Sequence, residues 1–421
     1  MERYKEYRDS GVQWIGEIPK HWTLRRIKYI FSELKEKSEN GLETPLSLSK
    51  EAGIIPFDEK KNKTMESASY VGGKIVHKGE IVFNRFKARL FAVSGFDGIV
   101  SSDYAVYECN KTASPKYMVK LFGTDIYRDA FNRKASGIGD GFSRLYTDDL
   151  FAMYSIFPPI QEQEKIVIYL EAQTSKIDAY VADKEKEIEL LQELKQKTIA
   201  EAVTKGLNPD VKMKEYNSLI SSQCPEHWKI MRNKSFLSLT GEKVGNRANE
   251  HTLLSLTTKG VIVRDLESGK GKFPKDFDTY QIVKKDDLVF CLFDIDETPR
   301  TVGLVDIEGM ITGAYTALKV NKSIAIPEFI YNYYLCVDDI KALKPYYSGL
   351  RKTVRADKFL QLYLPLPSID EQRAIVTYIE EKCQKIDTLI TELQAEIDHL
   401  KEYKQRLISD VVTGQVNVQN L

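Results

Sequence analysis

Two short windows of this sequence concentrate cationic side chains without any acid. Residues 81–96, IVFNRFKARLFAVSGF, carry Arg85, Lys87 and Arg89, and residues 340–356, IKALKPYYSGLRKTVRA, carry five cations. Lysine and arginine attract phosphates by counterion release, and arginine also reads guanine edges. Tyrosine, serine and asparagine add hydrogen bonds to phosphates and bases. The windows therefore predict contact with nucleic acid, although a solvated face produces the same pattern.

The second window has a counterpart in the first half of the chain. Residues 135–146, ASGIGDGFSRLY, keep the Ser-Gly pair and Arg144 but include an acid, Asp140. This difference indicates one scaffold adapted to two different ligands. The candidate DNA-binding residues are Asn84, Arg85, Lys87, Arg89, Ser143, Arg144, Tyr346, Tyr347, Ser348, Arg351, Lys352 and Arg355.

The common catalytic motifs are missing from the sequence. GxxxxGK[ST], HExxH and GxSxG do not occur, nor does the Asn/Asp-Pro-Pro-Tyr/Phe tetrapeptide of amino-methyltransferases. The five histidines share no ligand spacing. SGIGDG at residues 136–141 contains GxGxG, but it follows a charged, helix-like stretch where a dinucleotide site would follow a strand. We predict no catalytic, cofactor-binding or metal-binding residues in this chain.

The elements that must position the windows occur twice. PPIQEQEKIVIYLEAQTSKID begins at Pro158, and its near-copy PSIDEQRAIVTYIEEKCQKID begins 209 positions later, at Pro367. PKHW at residues 19–22 returns as PEHW at residues 225–228, where we expect each histidine to seat the chain on its module and not to bind metal. The period exceeds the roughly 20 to 50 residues of a solenoid repeat. The chain is therefore a tandem duplication of whole modules.

Each half changes character at its proline pair. Before it, short apolar runs alternate with Gly, Asp and Asn turns, which is typical of strands, and proline-led helical stretches follow. After it, residues 161–205 and 370–412 contain no Gly or Pro, which predicts two helices of about 65 Å each. We predict a mixed α/β fold with target-binding modules at residues 1–158 and 208–366 and helical regions at residues 159–207 and 367–421.

Apolar residues recur along both predicted helices, mostly at spacings of three, four and seven, as in a seam for a partner helix, and Lys184 interrupts the first seam. They are Leu170, Ile177, Tyr180, Ile188, Leu191 and Leu194 in the first and Ile379, Ile386, Leu389, Leu393, Leu400, Tyr403 and Leu407 in the second. We predict that the helices pair as an antiparallel coiled coil with pseudo-two-fold symmetry. The alternative is that each stripe packs only on its adjacent module.

Composition sets the remaining limits. With 421 residues, 42% of them hydrophobic, the chain can form several cores, and its formal net charge of zero gives no global basic character. The five cysteines are scattered along the sequence, which predicts that they are reduced thiols. The N-terminus lacks an apolar signal core, and no long apolar run occurs. We expect a cytoplasmic protein that does not contact a membrane.

RDSGVQWIGEIPKHW near the start, the repeated P-x-H-W modules and the repeated proline-led EQ helices together resemble the specificity subunit of type I restriction–modification systems. The resemblance covers essentially the whole chain. It implies that each module is a target recognition domain that reads one half of a bipartite, asymmetric site in double-stranded DNA. It also implies that the two long helices separate the half-sites.

The same resemblance implies a non-catalytic chain with partners. Proteins of this family recruit two modification subunits, which bind S-adenosylmethionine and methylate adenine, and two restriction subunits where these exist, which use ATP and Mg²⁺. The docking surface implied is the helix faces of residues 161–205 and 370–412. The alternatives are a coiled-coil adaptor whose modules bind proteins, and an enzyme that binds a nucleotide at the Gly-rich loop.

Overall fold

The computed structural model describes residues 2–49, 52–60, 69–86, 90–137, 143–264, 277 and 279–419. The chain divides into two compact units. Unit 1 comprises Met1–Glu185 and Gln394–Leu421, and unit 2 comprises Lys186–Leu393. Both long helices cross this division, so each unit contains part of each helix. The predicted boundaries, which follow the sequence repeat, stay a prediction.

Unit 1 is built on a four-stranded antiparallel sheet of order β4-β11-β8-β9, and β3 pairs with β14 beside it. Its strands are Tyr7–Asp9 (β1), Glu17–Pro19 (β2), Thr23–Arg26 (β3), Phe31–Leu34 (β4), Leu46–Ser49 (β5), Gly53–Pro56 (β6), Lys74–Val76 (β7), Ile81–Asn84 (β8), Phe91–Val93 (β9), Gly98–Val100 (β10), Tyr104–Cys109 (β11), Ser136–Gly137 (β12), Ser143–Arg144 (β13) and Tyr154–Phe157 (β14). Aromatic side chains fill the space between this sheet and the helices, where Phe91 contacts both Phe83 and Phe122.

Unit 2 repeats this plan with a sheet of order β18-β25-β22-β23 and a β17–β26 pair. Its strands are Met213–Glu215 (β15), Gln223–Pro225 (β16), Lys229–Arg232 (β17), Leu237–Leu239 (β18), Leu254–Thr257 (β19), Gly260–Val263 (β20), Gln281–Val283 (β21), Leu288–Phe290 (β22), Val302–Leu304 (β23), Gly309–Ile311 (β24), Thr316–Val320 (β25) and Tyr363–Leu366 (β26). The identical strand order confirms that the sequence repeat is a repeat of fold.

The helices of unit 1 before the proline pair are Pro115–Phe122 (α1), Asp125–Lys134 (α2) and Thr147–Ala152 (α3). The long helix Ile160–Lys205 (α4) follows, and unit 2 contains Pro327–Asp339 (α5), Ala356–Gln361 (α6) and the second long helix, Ile369–Val412 (α7). Both α1 and α5 begin with proline, as predicted, because its missing N–H has no partner in a first turn anyway. The stretch predicted as one helix after Ser114 is interrupted between α1 and α2, where Gly123 ends α1.

Within each unit, α4 and α7 pair as the sequence predicts. In unit 1, Asp178 accepts from Lys404 at 2.6 Å and Lys184 lies 3.2 Å from Glu396, so numbers rise along α4 as they fall along α7. In unit 2, Lys195 donates to Asp387 at 2.7 Å. The pairing is antiparallel. The alternative that each stripe packs only on its adjacent module is wrong.

The predicted seam is only partly buried. Tyr180, Leu194, Leu389 and Tyr403 are exposed, and the other seam positions are buried or half-buried. Val181 and Ile397, which the seam did not include, are buried instead. A straight helix has 3.6 residues per turn and drifts from a strict seven-residue repeat, so the buried stripe moves to neighbouring positions.

Each long helix is joined to its module by a glutamine from the repeated EQ pair. The Gln163 side chain is fully buried, and its Oε1 accepts from the backbone N–H of Ser114 at 2.8 Å. Its Nε2 donates to the carbonyls of Pro158 at 2.8 Å and Thr112 at 3.2 Å. Gln372 makes the matching set of three bonds in unit 2. The helix start and the module therefore share one hydrogen-bond network.

The glutamate of each EQ pair contacts the repeated P-x-H-W element. His21 Nε2 lies 2.9 Å from a carboxylate oxygen of the buried Glu162, and His227 Nε2 lies 2.9 Å from that of Glu371. In unit 2, Trp228 Nε1 also donates to Glu371 at 3.0 Å. The two repeated motifs thus bind each other, which supports the predicted role of the histidines in seating the chain.

Candidate nucleic-acid interface

The predicted residues of unit 1 lie on two segments that the fold brings together. One is the β8 loop, residues 85–90, of which Arg85, Phe86 and Leu90 are described, and the other is the antiparallel pair of β12 and β13, here called the β12–β13 hairpin. Leu145 N–H donates to the Arg85 carbonyl at 3.0 Å, and the Arg144 guanidinium lies over the Phe86 ring at 4.8 Å. Asn84 ends β8, and its side chain accepts from Phe86 N–H at 2.9 Å. Ser143 and Arg144 are half-buried in β13.

The cations of unit 1 are tied to acids from distant parts of the chain. Arg85 is largely buried and donates to Glu33 of β4 at 2.5 Å and to Thr147 at 3.2 Å. Arg144 donates to Asp103 at 2.8 Å. Lys87, Arg89 and the Gly-rich segment 138–142 lie outside the described residues. Arg85 therefore positions the β8 loop and does not present its charge to solvent.

A buried charged cluster lies beneath this loop. Lys74 donates to the same Glu33 oxygen at 2.9 Å. Burial raises the pKa of Glu33, but the hydrogen bond and charge of Lys74 and the charge of Arg85 outweigh burial, so that its net pKa is lowered. Burial lowers the pKa of Lys74. The cluster is a low-dielectric, ionised support for the loop.

Replacing Glu33 with glutamine is expected to reduce the free energy of unfolding by about 2 kcal/mol at neutral pH, because Arg85 and Lys74 lose a charged acceptor. The lowered pKa means that the ionised carboxylate stabilises the fold above the ordinary carboxyl range. Wild type loses this stabilisation as pH falls through the lowered pKa, so the difference between the two proteins should shrink in acid. Urea unfolding at pH 7 and pH 4 measures it. A difference that is equal at both pH values contradicts the ionised cluster.

The predicted residues of unit 2 surround a tight turn, the 348–353 hairpin. Ser348 N–H donates to the Thr353 carbonyl at 3.0 Å and the reverse bond measures 3.2 Å. Gly349 at φ +76° and Lys352 at φ +42° make the turn, and Leu350 at its tip is fully exposed. The hairpin holds the predicted residues on one short, ordered protrusion.

The remaining unit 2 candidates flank the hairpin. Tyr346 is exposed on a short 3-10 helix, whereas Tyr347 packs partly against the core. Arg355 precedes α6, and its guanidinium donates to Asp357 at 3.1 Å. Arg351 is exposed, and its side chain makes no ion pair with any part of the chain that the structure describes.

The sequence windows missed an acidic segment beside the hairpin. The β22 loop, residues 291–301, joins β22 to β23 and contains FDIDET. Asp294 N–H donates to the Arg351 carbonyl at 2.8 Å, and Val354 N–H donates to the Leu292 carbonyl at 2.8 Å. The sequence carries a signal for this: KGEIVF at residues 78–83 matches KDDLVF at residues 285–290, and continuing the match aligns NRFKAR with CLFDID at residues 291–296.

The acids of the β22 loop contact the predicted cations directly. Lys352 Nζ lies 3.1 Å from Asp296 and 3.3 Å from Glu297, and Lys344 lies 3.6 Å from Asp296. Burial raises the pKa of Asp296, but the hydrogen bond from Lys352 and the charge of Lys344 outweigh it and hold the pKa below its usual value. The bond to Asp296 raises the pKa of Lys352 in turn. Both groups are charged at neutral pH.

The interface has the same construction in both units. In each, the loop after the third strand in sheet order, β8 or β22, is hydrogen-bonded to a hairpin that precedes a short helix, α3 or α6. The described residues contain no group of three or more His, Cys, Asp or Glu side chains placed to hold a metal ion. In that part of the chain no helix has both the length and the apolar character needed to cross a membrane.

No protein-family model matches the sequence. The type I restriction enzyme MjaVIII specificity subunit of Methanocaldococcus jannaschii is 24% identical over 285 residues, which are 63% of this chain. The match spans 62% of that relative's length. A solved chain from work on complex assembly and conformational transition of the type I restriction–modification system superposes with a TM-score of 0.65, at 17% identity, over 95% of this chain and 99% of that one.

The chain shares the fold of type I specificity subunits. The crystal structure of the HsdS subunit from Thermoanaerobacter tengcongensis superposes with a TM-score of 0.51, at 15% identity, over 95% of this chain and 98% of that one. The resemblance recognised from the repeated motifs and the predicted fold class are both confirmed. At these identities the structures establish the fold alone.

Proposed function

We propose that this chain is the DNA-recognition subunit of a type I restriction–modification complex. Each unit contacts one part of a bipartite, asymmetric site in double-stranded DNA through its hairpin and adjoining loop. The observation that carries the proposal is the pair of equivalent loop–hairpin elements, on sheets of identical strand order but with different charges. Equal scaffolds with unequal contact residues suit two different half-sites.

The long helices suit the role of a spacer. Each is one continuous helix, of 46 residues in α4 and 44 in α7, and each begins with a buried glutamine bonded to its module. A stiff connection converts the second contact into an intramolecular one, so two modest affinities combine.

The exposed faces of the same helices suit docking of two modification subunits. Seven large apolar side chains are exposed along α4 and α7. They are Ile168, Tyr180, Leu190, Leu194, Tyr378, Leu389 and Tyr403. Apolar exposure along charged helices favours a protein partner. In this proposal the chain has no catalytic activity and holds no cofactor. S-adenosylmethionine is bound by the modification subunits, and ATP with Mg²⁺ by restriction subunits.

The proposed function is tested by producing the chain together with a modification subunit. The genes beside this chain are searched for the adenine methyltransferase that the proposal requires, the two proteins are produced together, and the methylated positions of the host DNA are read by sequencing. One bipartite motif that disappears when this chain is omitted supports the proposal. Methylation that is absent or independent of the chain, or a chain that retains proteins but no duplex, favours the adaptor alternative.

Replacing Arg351, Lys352 and Arg355 with alanine is expected to weaken duplex binding at least about tenfold and to make its salt dependence shallower by up to about three in slope. The reason is the loss of three cations at the surface that contacts DNA. Fluorescence anisotropy against salt, with the assembled complex, measures both quantities. The matched control replaces three exposed lysines elsewhere on unit 2, Lys212, Lys229 and Lys234. Equal behaviour of the two triple variants would count against the hairpin.

A further inference from the structure

The β22 loop and the 348–353 hairpin of unit 2 are held together by hydrogen bonds. Two backbone bonds join them, from Asp294 to Arg351 and from Val354 to Leu292, each at 2.8 Å. The loop is itself closed by Thr298, whose N–H and Oγ both donate to the Asp294 carbonyl at 2.9 Å. Side chains from the two segments therefore keep fixed mutual positions.

A carboxylate and an ammonium stand side by side at the exposed edge of this body. Glu297 has 77% of its side chain exposed, and its Oε1 lies 3.3 Å from Lys352 Nζ, which is about one-third exposed. Asp296 lies behind them, at 3.1 Å from the same nitrogen. One of its oxygens, Oδ1, is buried without a hydrogen-bond partner in the described structure. In this arrangement Asp296 orients the Lys352 side chain, and the Glu297 carboxylate remains accessible to a ligand.

An exposed carboxylate in a DNA interface can contact only some of the chemical groups of the DNA. Phosphates repel it, whereas the exocyclic amino group of cytosine donates to Asp and Glu. Lysine and arginine donate to O6 and N7 of guanine, in the same groove. Because guanine O6 and cytosine N4 are paired with each other, they are neighbours, and an acid beside a cation matches both edges of one base pair.

Unit 1 has no acid in the loop equivalent to the β22 loop. Its β8 loop has the sequence RFKARL, with cations and no acid, and Arg144 of the hairpin is paired with Asp103 from a different turn. Because the two units share one scaffold, the acids of the β22 loop are a property of the contact surface of unit 2.

We infer that Glu297 and Lys352 together read one G·C base pair in the major groove of the half-site bound by unit 2. Glu297 accepts from cytosine N4 and Lys352 donates to guanine. This inference rests on the proposed function. Asp296 is a positioning residue, since its contacts are to Lys352 and Lys344.

The experiment selects duplexes from a random pool with the full chain assembled with its modification subunits, and sequences those bound. Wild type is expected to require G·C at one position of one half-site. In Glu297→Ala and Lys352→Ala, the preference at that same position should fall at least about tenfold, while the other half-site is unchanged. Glu308→Ala, an exposed acid in the turn between β23 and β24, is the matched control and should retain the wild-type preferences.

The outcomes separate this inference from the proposed function. If Glu297→Ala strengthens binding to all sequences equally, the acid only neutralises Lys352, and the inference is overturned. It is also overturned if the two variants change different positions or none. A wild-type assembly that selects no bipartite sequence overturns the proposed function as well.

Discussion

Replacing Gln372 with alanine is expected to destabilise unit 2 by about 2 to 4 kcal/mol. The side chain is fully buried and makes three hydrogen bonds. Its Oε1 accepts from Ile326 N–H at 2.7 Å, and its Nε2 donates to Pro367 at 3.0 Å and Ile324 at 3.1 Å. Alanine removes the side-chain partner of three backbone groups, of which the Pro367 carbonyl is buried and the other two are part-buried.

Urea unfolding of the full chain measures the loss, and hydrogen exchange locates it. The Ile326 amide, whose acceptor is removed, should exchange faster than in wild type. Gln372→Met fills a similar volume without the hydrogen bonds and should lose nearly as much, which separates the bonds from the cavity. The control is Gln384→Ala, on an exposed position of the same helix. Unchanged exchange at Ile326 would show that the network is not important for stability.

The same substitution tests the spacer. If Gln372 fixes the direction in which α7 leaves its module, the variant should accept half-sites at more than one separation, where wild type accepts one. Selection from a pool of duplexes with varied spacing measures this tolerance. A variant that is less stable but equally strict in spacing has lost only a structural contact.

Replacing Asp338 with alanine is the second change with a large expected effect, a loss of about 3 to 5 kcal/mol. The carboxylate is buried at the end of α5 and accepts from Thr301 N–H at 2.9 Å, Thr301 Oγ at 2.6 Å and Lys341 Nζ at 2.7 Å. Arg300 lies 3.6 Å away. Its removal leaves Lys341, and both donors of Thr301 at the end of the β22 loop, without their carboxylate acceptor.

Asp339→Ala is the matched control. Asp339 is the next residue and contacts Arg300 at 3.3 Å, but burial raises its pKa and disfavours its charged form. Its loss should cost less than about 1 kcal/mol. Thermal unfolding compares the two variants, and duplex binding should fall only in Asp338→Ala, because the β22 loop loses its fixed end. Equal effects of the two substitutions would refute this role of Asp338.

The large features of the fold follow from local sequence. Pro158 and Pro367 separate the strands β14 and β26 from the long helices because proline interrupts regular structure, and the absence of Gly and Pro after them permits two long helices. The repeat required the two modules to share a fold, and the strand orders agree. The antiparallel pairing followed from the matching apolar stripes, although the positions buried in the seam depended on helix geometry.

The candidate site could be predicted only in part. The sequence located the 348–353 hairpin and its unit 1 counterpart, since Ser-Gly turns and clustered cations are local signals. It did not show that the β8 and β22 loops adjoin these hairpins. Those contacts join residues 60 and 57 positions apart (Leu145 to Arg85, Arg351 to Asp294).

The pairing of charges shows most clearly what the sequence could not predict. The two windows contain no acid, and from sequence all their cations are equally available. In the folded chain Arg85 is bound to Glu33, 52 residues away, and Lys352 to Glu297, 55 residues away. The sequence by itself determined the repeat, the long helices and the turns, because these depend on neighbours along the chain. The tertiary structure alone decided which cations remain unpaired, because a Coulomb interaction depends on distance in space and on burial, and neither is a property of a linear window.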